Sequence, residues 1–167
     1  MDSFSFYSKS ADKKPGKGVN EFVSIPEKYI EISKIKDWRK VLSNFHVSPF
    51  VFEGKRYNTI EHVFQSKKIA LVDPAKADFF TLESGHEIGQ GDGSVAQKNR
   101  KLVVLQKPEL DTWFRISGNV MEKAAIAKFT QCPEAMYVLK LTGDAELWHI
   151  VSRKKPVRFL HLEKIRG

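Results

Sequence analysis

The sequence predicts a single α+β domain over residues 1–167, rich in helix and with short β-strands. A chain of 167 residues is long enough to bury a core of its own. Apolar residues recur at helical spacing in several segments, and shorter segments between them alternate like strands. No repeat, low-complexity stretch or linker divides the chain, so one domain is the expected organisation.

The N-terminal part predicts a strand, a loop, mixed helix and a hairpin. Residues 4–7 alternate like a short strand, and residues 8–20, rich in Lys, Ser, Pro and Gly, predict a flexible loop. Residues 26–41 have helical or mixed character. Residues 50–57 predict a β-hairpin with its turn at Glu53-Gly54, because glycine tolerates the backbone of a tight turn.

Two short helices and a glycine-rich stretch are predicted next. Thr59 is the expected N-cap of a helix that ends before residue 73, and a second short helix is predicted over residues 74–82. Residues 84–94 contain four glycines and predict an irregular loop. Such a loop either is mobile at the surface or brings backbone N–H groups close to a ligand.

The C-terminal part predicts two helices followed by two strands. Asp111 begins the longest predicted helix, which keeps helical spacing to Phe129, and residues 133–141 form a further helix that starts at a proline. Residues 147–151 and residues 158–162 both predict strands.

The charge of the chain favours a polyanionic partner. Lys and Arg number 28 against 20 Asp and Glu, which gives a net charge of +8 and a pI near 9.5. No apolar run approaches the roughly 18 residues that a membrane helix needs, and the N-terminus lacks the features of a signal peptide. We therefore expect a cytoplasmic or nuclear protein that has no membrane partner and needs no obligate protein partner.

Several kinds of site are not expected. Cys132 is the only cysteine, and the five histidines show no paired ligand spacing, so neither an internal disulfide nor a metal site is predicted. A Gly-x-Ser-x-Gly elbow is absent, and Cys132 has no evident histidine partner, which argues against serine and cysteine hydrolases. No cofactor is predicted.

One face of the helix that follows Thr59 carries an unusual set of side chains. At about 100° per residue, five positions fall within one arc roughly 100° wide, and they are Glu61, Phe64, Gln65, Lys68 and Val72. Ionised groups beside Phe and Val are costly to bury unless they are paired or used in chemistry. The alternative is a helix that merely faces water.

These motifs, taken in order, resemble the NADAR (YbiA-like) family of N-glycosidases over nearly the whole chain. The residues that carry the resemblance are Asn44-Phe45, Ser48-Pro49-Phe50, Glu61-His62-Val63-Phe64-Gln65 with Lys68, Trp113, Asn119-Val120-Met121, Ala127-Lys128-Phe129 and Thr142 to His149. The resemblance implies a YbiA-like fold and cleavage of an N-glycosidic bond to ribose.

The resemblance implies two substrate classes, both with ribose C1 on an exocyclic amine. One is ADP-ribosylated guanine in nucleic acid, which the basic surplus places first. The other is the ribosylaminopyrimidine phosphates of riboflavin biosynthesis. A reader that binds ADP-ribose or nucleic acid without cleaving it is the non-enzymatic alternative.

The resemblance also suggests roles for particular residues. Lys68 would either form a Schiff base with ribose C1, since desolvation favours its neutral amine, or act only through its charge, and Glu61 would act as general acid and base. Gln65 and Asn44 would bind ribose hydroxyls. Further predicted substrate contacts are Phe45, Phe64, Asp92, Trp113 (by stacking on a base), Asn119, Trp148 and His149. Trp113 could instead belong to the core, and Asn44 could cap a turn.

Overall fold

The α+β prediction is confirmed by the computed structural model, which describes all 167 residues, with 51% in helices and 10% in strands. In chain order the elements are β1 (Ser3–Phe6), a 3-10 helix (Pro26–Tyr29), α1 (Ile30–Ser33), α2 (Trp38–Val41), β2 (Phe50–Phe52), β3 (Lys55–Tyr57), α3 (Ile60–Ala70), α4 (Pro74–Ala77), a 3-10 helix (Asp78–Phe80), α5 (Glu87–Gln90), α6 (Gly93–Lys98), a 3-10 helix (Asn99–Leu102), α7 (Lys107–Gln131), α8 (Pro133–Leu141), β4 (Glu146–His149), β5 (Val157–Arg158) and α9 (Leu160–Arg166).

The chain forms two compact units. Unit 1 consists of residues 1–43 and 133–167, and unit 2 consists of residues 44–132. That residues 1–167 make up one domain stays a prediction. No helix in the chain combines the length and the apolar character needed to cross a membrane.

Unit 1 is built on a three-stranded sheet in the order β1-β4-β5. β1 runs parallel to β4, with Phe4 opposite Leu147, and β4 runs antiparallel to β5. Phe4 is fully buried, and its ring meets the rings of Tyr29 and Trp38 edge-on at centroid distances of 5.0 and 5.1 Å. The aromatic residues of the N-terminal strand and of the mixed helical segment therefore form one core.

Residues 8–20 contain no helix or strand, as predicted, and they are tied to a buried ion pair. Arg39 Nη2 lies 2.7 Å from Glu21 Oε1, and these side chains are 3% and 0% exposed. Arg39 also donates to the carbonyl oxygens of Lys13 and Lys14. Two backbone N–H groups of the segment, those of Gly16 and Gly18, donate to Glu21 Oε1. That this segment is flexible stays a prediction.

Unit 2 begins with the predicted hairpin of β2 and β3, in which Phe50 pairs with Tyr57. Glu53 and Gly54 both have positive φ, 50° and 81°, which is the turn geometry that joins two antiparallel strands most compactly. Helix α3 then packs against α4, α6 and α7. Buried residues of α3, α4, the 3-10 helix of residues 78–80, α5 and α6 form an apolar cluster, namely Ile69, Ala77, Phe80, Ile88 and Ala96.

Two predicted boundaries are wrong for identifiable reasons. Helix α7 begins at Lys107, four residues before Asp111, because Gln106 and Glu109 form a capping box and Pro108 suits the first turn. The strand predicted over residues 158–162 is replaced from Leu160 by α9. Phe159 and Leu162 are buried while Leu160 is 53% exposed, so burial here follows helical and not alternating spacing.

The prediction of an irregular loop over residues 84–94 is also wrong for much of the segment, which contains α5 and the start of α6. A Cβ atom at Gly89 would lie 2.2 Å from Thr81 O, and one at Gly93 would lie 2.3 Å from Phe45 Cα. These two glycines therefore serve close backbone packing inside unit 2.

Candidate functional site

Helix α3 is anchored at its start by Thr59 and His62. The Thr59 hydroxyl oxygen accepts from the His62 backbone N–H at 3.1 Å, which confirms Thr59 as the N-cap. His62 is fully buried and its Nε2 lies 2.8 Å from Ile88 O, which can only accept, so Nε2 carries the proton. Burial lowers the pKa of His62. This neutral imidazole therefore joins α3 to α5 and is used for structure.

Glu61 and Gln65 form a buried pair one turn apart on α3. They are 8% and 4% exposed, and Gln65 Nε2 donates to Glu61 Oε2 at 2.8 Å. Burial raises the pKa of Glu61 to about 7, an effect partly offset by this hydrogen bond and by the positive charges of Lys68 and Arg100. A carboxyl group with this pKa can both donate and accept a proton near neutral pH.

Lys68 lies on the same face as Glu61 and Gln65, and Lys67 does not. Lys68 is half-buried, forms no salt bridge, and its charge acts on Glu61. Lys67 pairs with Glu53, and its Nζ lies 5.6 Å from the centroid of the Phe52 ring. The structure thus leaves the amine of Lys68 available beside Glu61. Val72 lies beyond the end of α3 and is 41% exposed, so it does not extend the face.

Asn44 is joined to the start of α3 and to α7. Its backbone O accepts from Glu61 N at 3.1 Å, and its Nδ2 donates to Met121 Sδ at 3.3 Å. Its Oδ1 is buried and has no hydrogen-bond partner, and the same is true of Gln65 Oε1. Buried polar atoms without partners are rare and call for an explanation. Here two amide oxygens near Glu61 are left without a protein partner, and their predicted contact with ribose hydroxyls stays a prediction.

Phe64 and Trp113 bring α7 against α3. Their ring centroids are 4.8 Å apart at an interplanar angle of 69°, and Trp113 is 4% exposed. Trp113 is therefore covered by protein on nearly all of its surface. Its predicted stacking on a base stays a prediction, while its contact with Phe64 is a packing role that the structure does show.

Asp92 lies within the glycine-rich segment of residues 84–94, and Phe45 contacts that segment. Phe45 O accepts from Gly93 N at 3.0 Å. Asp92 caps α6, since its Oδ1 accepts from Ser94 N at 2.9 Å and from Ser94 Oγ at 2.6 Å, and hydrogen bonding of this kind lowers its pKa. Asp92 is thus an ionised side chain at the surface with a capping function of its own.

The remaining predicted contacts are Asn119 in unit 2 and Trp148 and His149 in unit 1. Asn119 is exposed on α7, about 120° around the helix from Trp113. Trp148 and His149 belong to β4 in unit 1. Trp148 Nε1 donates to Glu146 Oε1 at 3.0 Å, and the ring of His149 stacks on that of Phe159 at 4.9 Å. Whether these three residues touch a substrate stays a prediction.

No role was predicted for Arg100 or for Lys128, although Lys128 lies in one of the motifs that carry the family resemblance. Arg100 is exposed, its charge acts on Glu61, and its one hydrogen bond runs from Nη1 to Gln97 O at 2.9 Å. Lys128 is fully buried in α7, with its Nζ 4.8 Å from the centroid of the Phe129 ring, and burial lowers its pKa to about 7. Arg100 could not be linked to α3 from residue spacing, because the 3-10 helix of residues 99–102 contacts α3 only in the folded chain. The buried position of Lys128 on α7 was the available signal.

Comparison with known proteins gives the family. A structural match is the NMR structure of the E. coli protein YbiA, at 19% identity and a TM-score of 0.51, covering 92% of this chain and 70% of that chain. A comparison with curated proteins found no match. The family model described as the NADAR domain matches residues 32–154, which is most of the chain and includes α3 and α7. The chain therefore belongs to the NADAR domain family, which is associated with N-glycosidase activity.

Proposed function

We propose that this protein is an N-glycosidase that hydrolyses the bond between ribose C1 and an exocyclic amine, and that its substrate is ADP-ribosylated guanine in nucleic acid. The observation that carries the proposal is the buried Glu61, whose pKa is raised to about 7, beside the half-buried amine of Lys68. A carboxyl group poised near neutral pH beside an amine suits bond cleavage better than passive binding. A protein that only reads ADP-ribose would need neither group.

The proposed reaction begins with opening of the glycosylamine to an imine, in which ribose O4′ takes up a proton. Lys68 passes a proton to the Glu61 carboxylate, and its neutral Nζ adds to C1 and forms an aminal as one amine proton moves to the imine nitrogen. The protonated carboxyl of Glu61 then gives its proton to the exocyclic nitrogen, the bond from C1 to that nitrogen breaks, and C1 forms a Schiff base with Lys68. Glu61, now a carboxylate, accepts a proton from water as the water attacks C1.

Release of Lys68 from C1 completes the turnover, and the sugar closes its ring again. The net change is addition of one water molecule. The products are the sugar with a hydroxyl group on C1 and the base with its free amine. Each proton that Glu61 donates is regained from the attacking water. The protein therefore needs no additional reactant.

The surroundings of Glu61 supply groups for the rest of the substrate. Gln65 Oε1 and Asn44 Oδ1, which lack protein partners, would accept from ribose hydroxyls. Arg100 has donors free for a phosphate group of the substrate, because guanidinium groups bind phosphate in a bidentate manner. The net charge of +8 supports a polyanionic substrate.

The proposal is tested by incubating the protein with an oligonucleotide that carries ADP-ribosylated guanine and following both products by mass spectrometry. We expect the wild type to release ADP-ribose and restore guanine, while Glu61→Gln and Lys68→Ala release little. Lys67→Ala is the matched control, because Lys67 is the adjacent lysine on the other side of the helix.

The outcomes separate the alternatives. Binding of ADP-ribose without release from the oligonucleotide would favour a reader. Cleavage of ribosylaminopyrimidine phosphates in place of the oligonucleotide would keep the N-glycosidase and change its substrate. Near-normal turnover by folded Glu61→Gln and Lys68→Ala proteins would refute the proposed mechanism.

A further inference from the structure

We infer that Phe114 stacks on a second nucleobase of the substrate, one that is not bonded to the ribose C1 where cleavage occurs. The inference rests on the proposed function and adds a specificity-determining residue to it. Phe114 is 72% exposed on α7, directly after the buried Trp113. A single exposed phenylalanine is common on protein surfaces, so the position of Phe114 on α7 relative to the candidate site is what matters.

Helix α7 forms one side of the candidate site. Trp113 packs on Phe64 of α3, and Met121 Sδ accepts from Asn44 Nδ2. Asn44 is in turn bonded through its backbone to Glu61 N. The face of α7 that carries Met121 therefore borders the residues around Glu61.

Phe114 lies on that same face. Met121 follows Phe114 by seven positions, and at about 100° per residue this returns the side chain to within about 20° of the same direction. Gly118 lies between them, one turn from each, and a Cβ atom there would meet nothing within 4 Å. This face of α7 thus extends from Met121, which contacts Asn44, past the unobstructed position of Gly118 to the exposed ring of Phe114.

The separation along the helix indicates which ring Phe114 can reach. Seven residues at about 1.5 Å each place the Cα atoms of Phe114 and Met121 about 10 Å apart. A base bonded directly to C1 stays beside the reacting atom near Glu61. A ring further away must be the adenine of an ADP-ribosyl group or a neighbouring base of the nucleic acid.

The apolar ring of Phe114 suits a base and not a phosphate group. Asp111, one turn before it, is paired with Lys107 at 3.0 Å, and the neighbouring Arg115 is exposed. Flat aromatic rings stack on nucleobases irrespective of base identity, and loss of one such contact weakens binding about five- to a hundredfold. Ribosylaminopyrimidine phosphates have no second base, so Phe114 favours ADP-ribosyl substrates.

The test compares Phe114→Ala with the wild type on the ADP-ribosylated oligonucleotide. We expect kcat/KM to fall about five- to a hundredfold, Phe114→Trp to restore it, and thermal stability to stay unchanged because the ring is mostly exposed. Tyr137→Ala, which removes an aromatic ring that is 53% exposed on α8, is the matched control and should behave as wild type.

A second substrate, ADP-ribosylguanosine without a strand, identifies the base. If Phe114→Ala still lowers kcat/KM on this substrate, Phe114 stacks on the adenine. If kcat/KM on this substrate is normal, Phe114 stacks on a neighbouring base of the nucleic acid. An unchanged kcat/KM of Phe114→Ala on the oligonucleotide overturns the inference while leaving the glycosidase intact.

If the wild type cleaves neither substrate, the proposed function fails. Stacking by Phe114 is then tested by measuring ligand binding in place of cleavage. Fluorescence anisotropy with labelled ADP-ribose and with an unmodified single-stranded oligonucleotide then compares the two proteins. Weaker binding of either probe by Phe114→Ala supports stacking. Equal binding, or no binding by the wild type, overturns it.

Discussion

At the scale of single residues, Glu61 links the stability of the protein to its chemistry. Glu61 is 8% exposed, and burial raises the pKa of its carboxyl group to about 7 from an ordinary value of 4.5. Between these two pH values the folded state binds more protons than the unfolded state, so this group destabilises the fold as pH rises through that window. The buried carboxylate that catalysis requires is thus a source of instability above pH 7.

Glu61→Gln should therefore stabilise the protein at high pH while abolishing turnover. The amide keeps the shape of the side chain and can still accept from Gln65 Nε2, but it carries no charge to desolvate. We expect the free energy of unfolding to rise by up to about 3 kcal/mol at pH 8 and to change little at pH 4.5. Denaturant unfolding at both pH values measures this. If Glu61→Gln were less stable than the wild type at pH 8, this would contradict the claim that the buried Glu61 carboxylate destabilises the fold.

The pH dependence of catalysis should report the same group. Because the Glu61 carboxylate must take a proton from Lys68 before Lys68 can add to C1, kcat/KM should fall as pH falls below about 7. The charge of Arg100 lowers the pKa of Glu61, so Arg100→Ala should move this fall to higher pH. Lys98→Ala, which removes a neighbouring exposed cation, is the control. A profile that is the same in Arg100→Ala and wild type would show that Arg100 does not act on Glu61.

At the scale of the elements, close backbone packing positions the residues that precede α3. Gly93 at the start of α6 has no room for a Cβ atom, which would lie 2.3 Å from Phe45 Cα, and its N–H donates to Phe45 O. Phe45 follows Asn44 directly, so a displacement at this point would move a predicted ribose contact. The glycine-rich segment therefore serves the site through packing.

Gly93→Ala should destabilise the protein and lower its activity, whereas Gly118→Ala should do neither. We expect a loss of about 1–3 kcal/mol for Gly93→Ala, the range for overpacking. Gly118 lies in α7 with nothing within 4 Å of a Cβ, so alanine there should add about 0.5–1 kcal/mol of stability. Thermal unfolding of the two variants gives the comparison. Equal effects would mean that Gly93 tolerates a side chain.

In unit 1 the buried pair of Arg39 and Glu21 holds residues 8–20. Arg39→Met leaves the carboxylate of Glu21 buried without its cation, and loss of one partner of such a pair costs about 3–5 kcal/mol. We expect a lower unfolding temperature and faster proteolysis within residues 8–20. Lys34→Met, which removes an exposed pair with Glu31, is the control and should change stability by less than about 1 kcal/mol. Unchanged proteolysis in Arg39→Met would show that the segment is held by other contacts.

At the scale of the whole molecule, the sequence predicted the fold class, the hairpin, the N-cap at Thr59 and the NADAR family. Each of these depends on local spacing or on motifs in order along the chain. The strand predicted at residues 158–162 was wrong because burial of Phe159 and Leu162 depends on tertiary packing. Local alternation cannot reveal such packing.

The candidate site was only partly predictable for a similar reason. Helical spacing placed Glu61, Gln65 and Lys68 on one face, because that relation is contained within α3. The approach of Arg100 to Glu61 depends on the path of the chain between α3 and the 3-10 helix of residues 99–102, and no spacing rule describes it. The unpartnered oxygens of Asn44 and Gln65 likewise emerge only from three-dimensional packing.

The most direct measurement is reductive trapping of the intermediate. The wild-type protein is mixed with ADP-ribosylated guanine oligonucleotide, treated with borohydride during turnover, and digested for mass spectrometry, with Lys68→Ala as the control. We predict a reduced ribosyl adduct on Lys68 that is absent from the control. Product release without an adduct, or an adduct on the buried Lys128, would contradict transfer of ribose C1 to Lys68 beside Glu61.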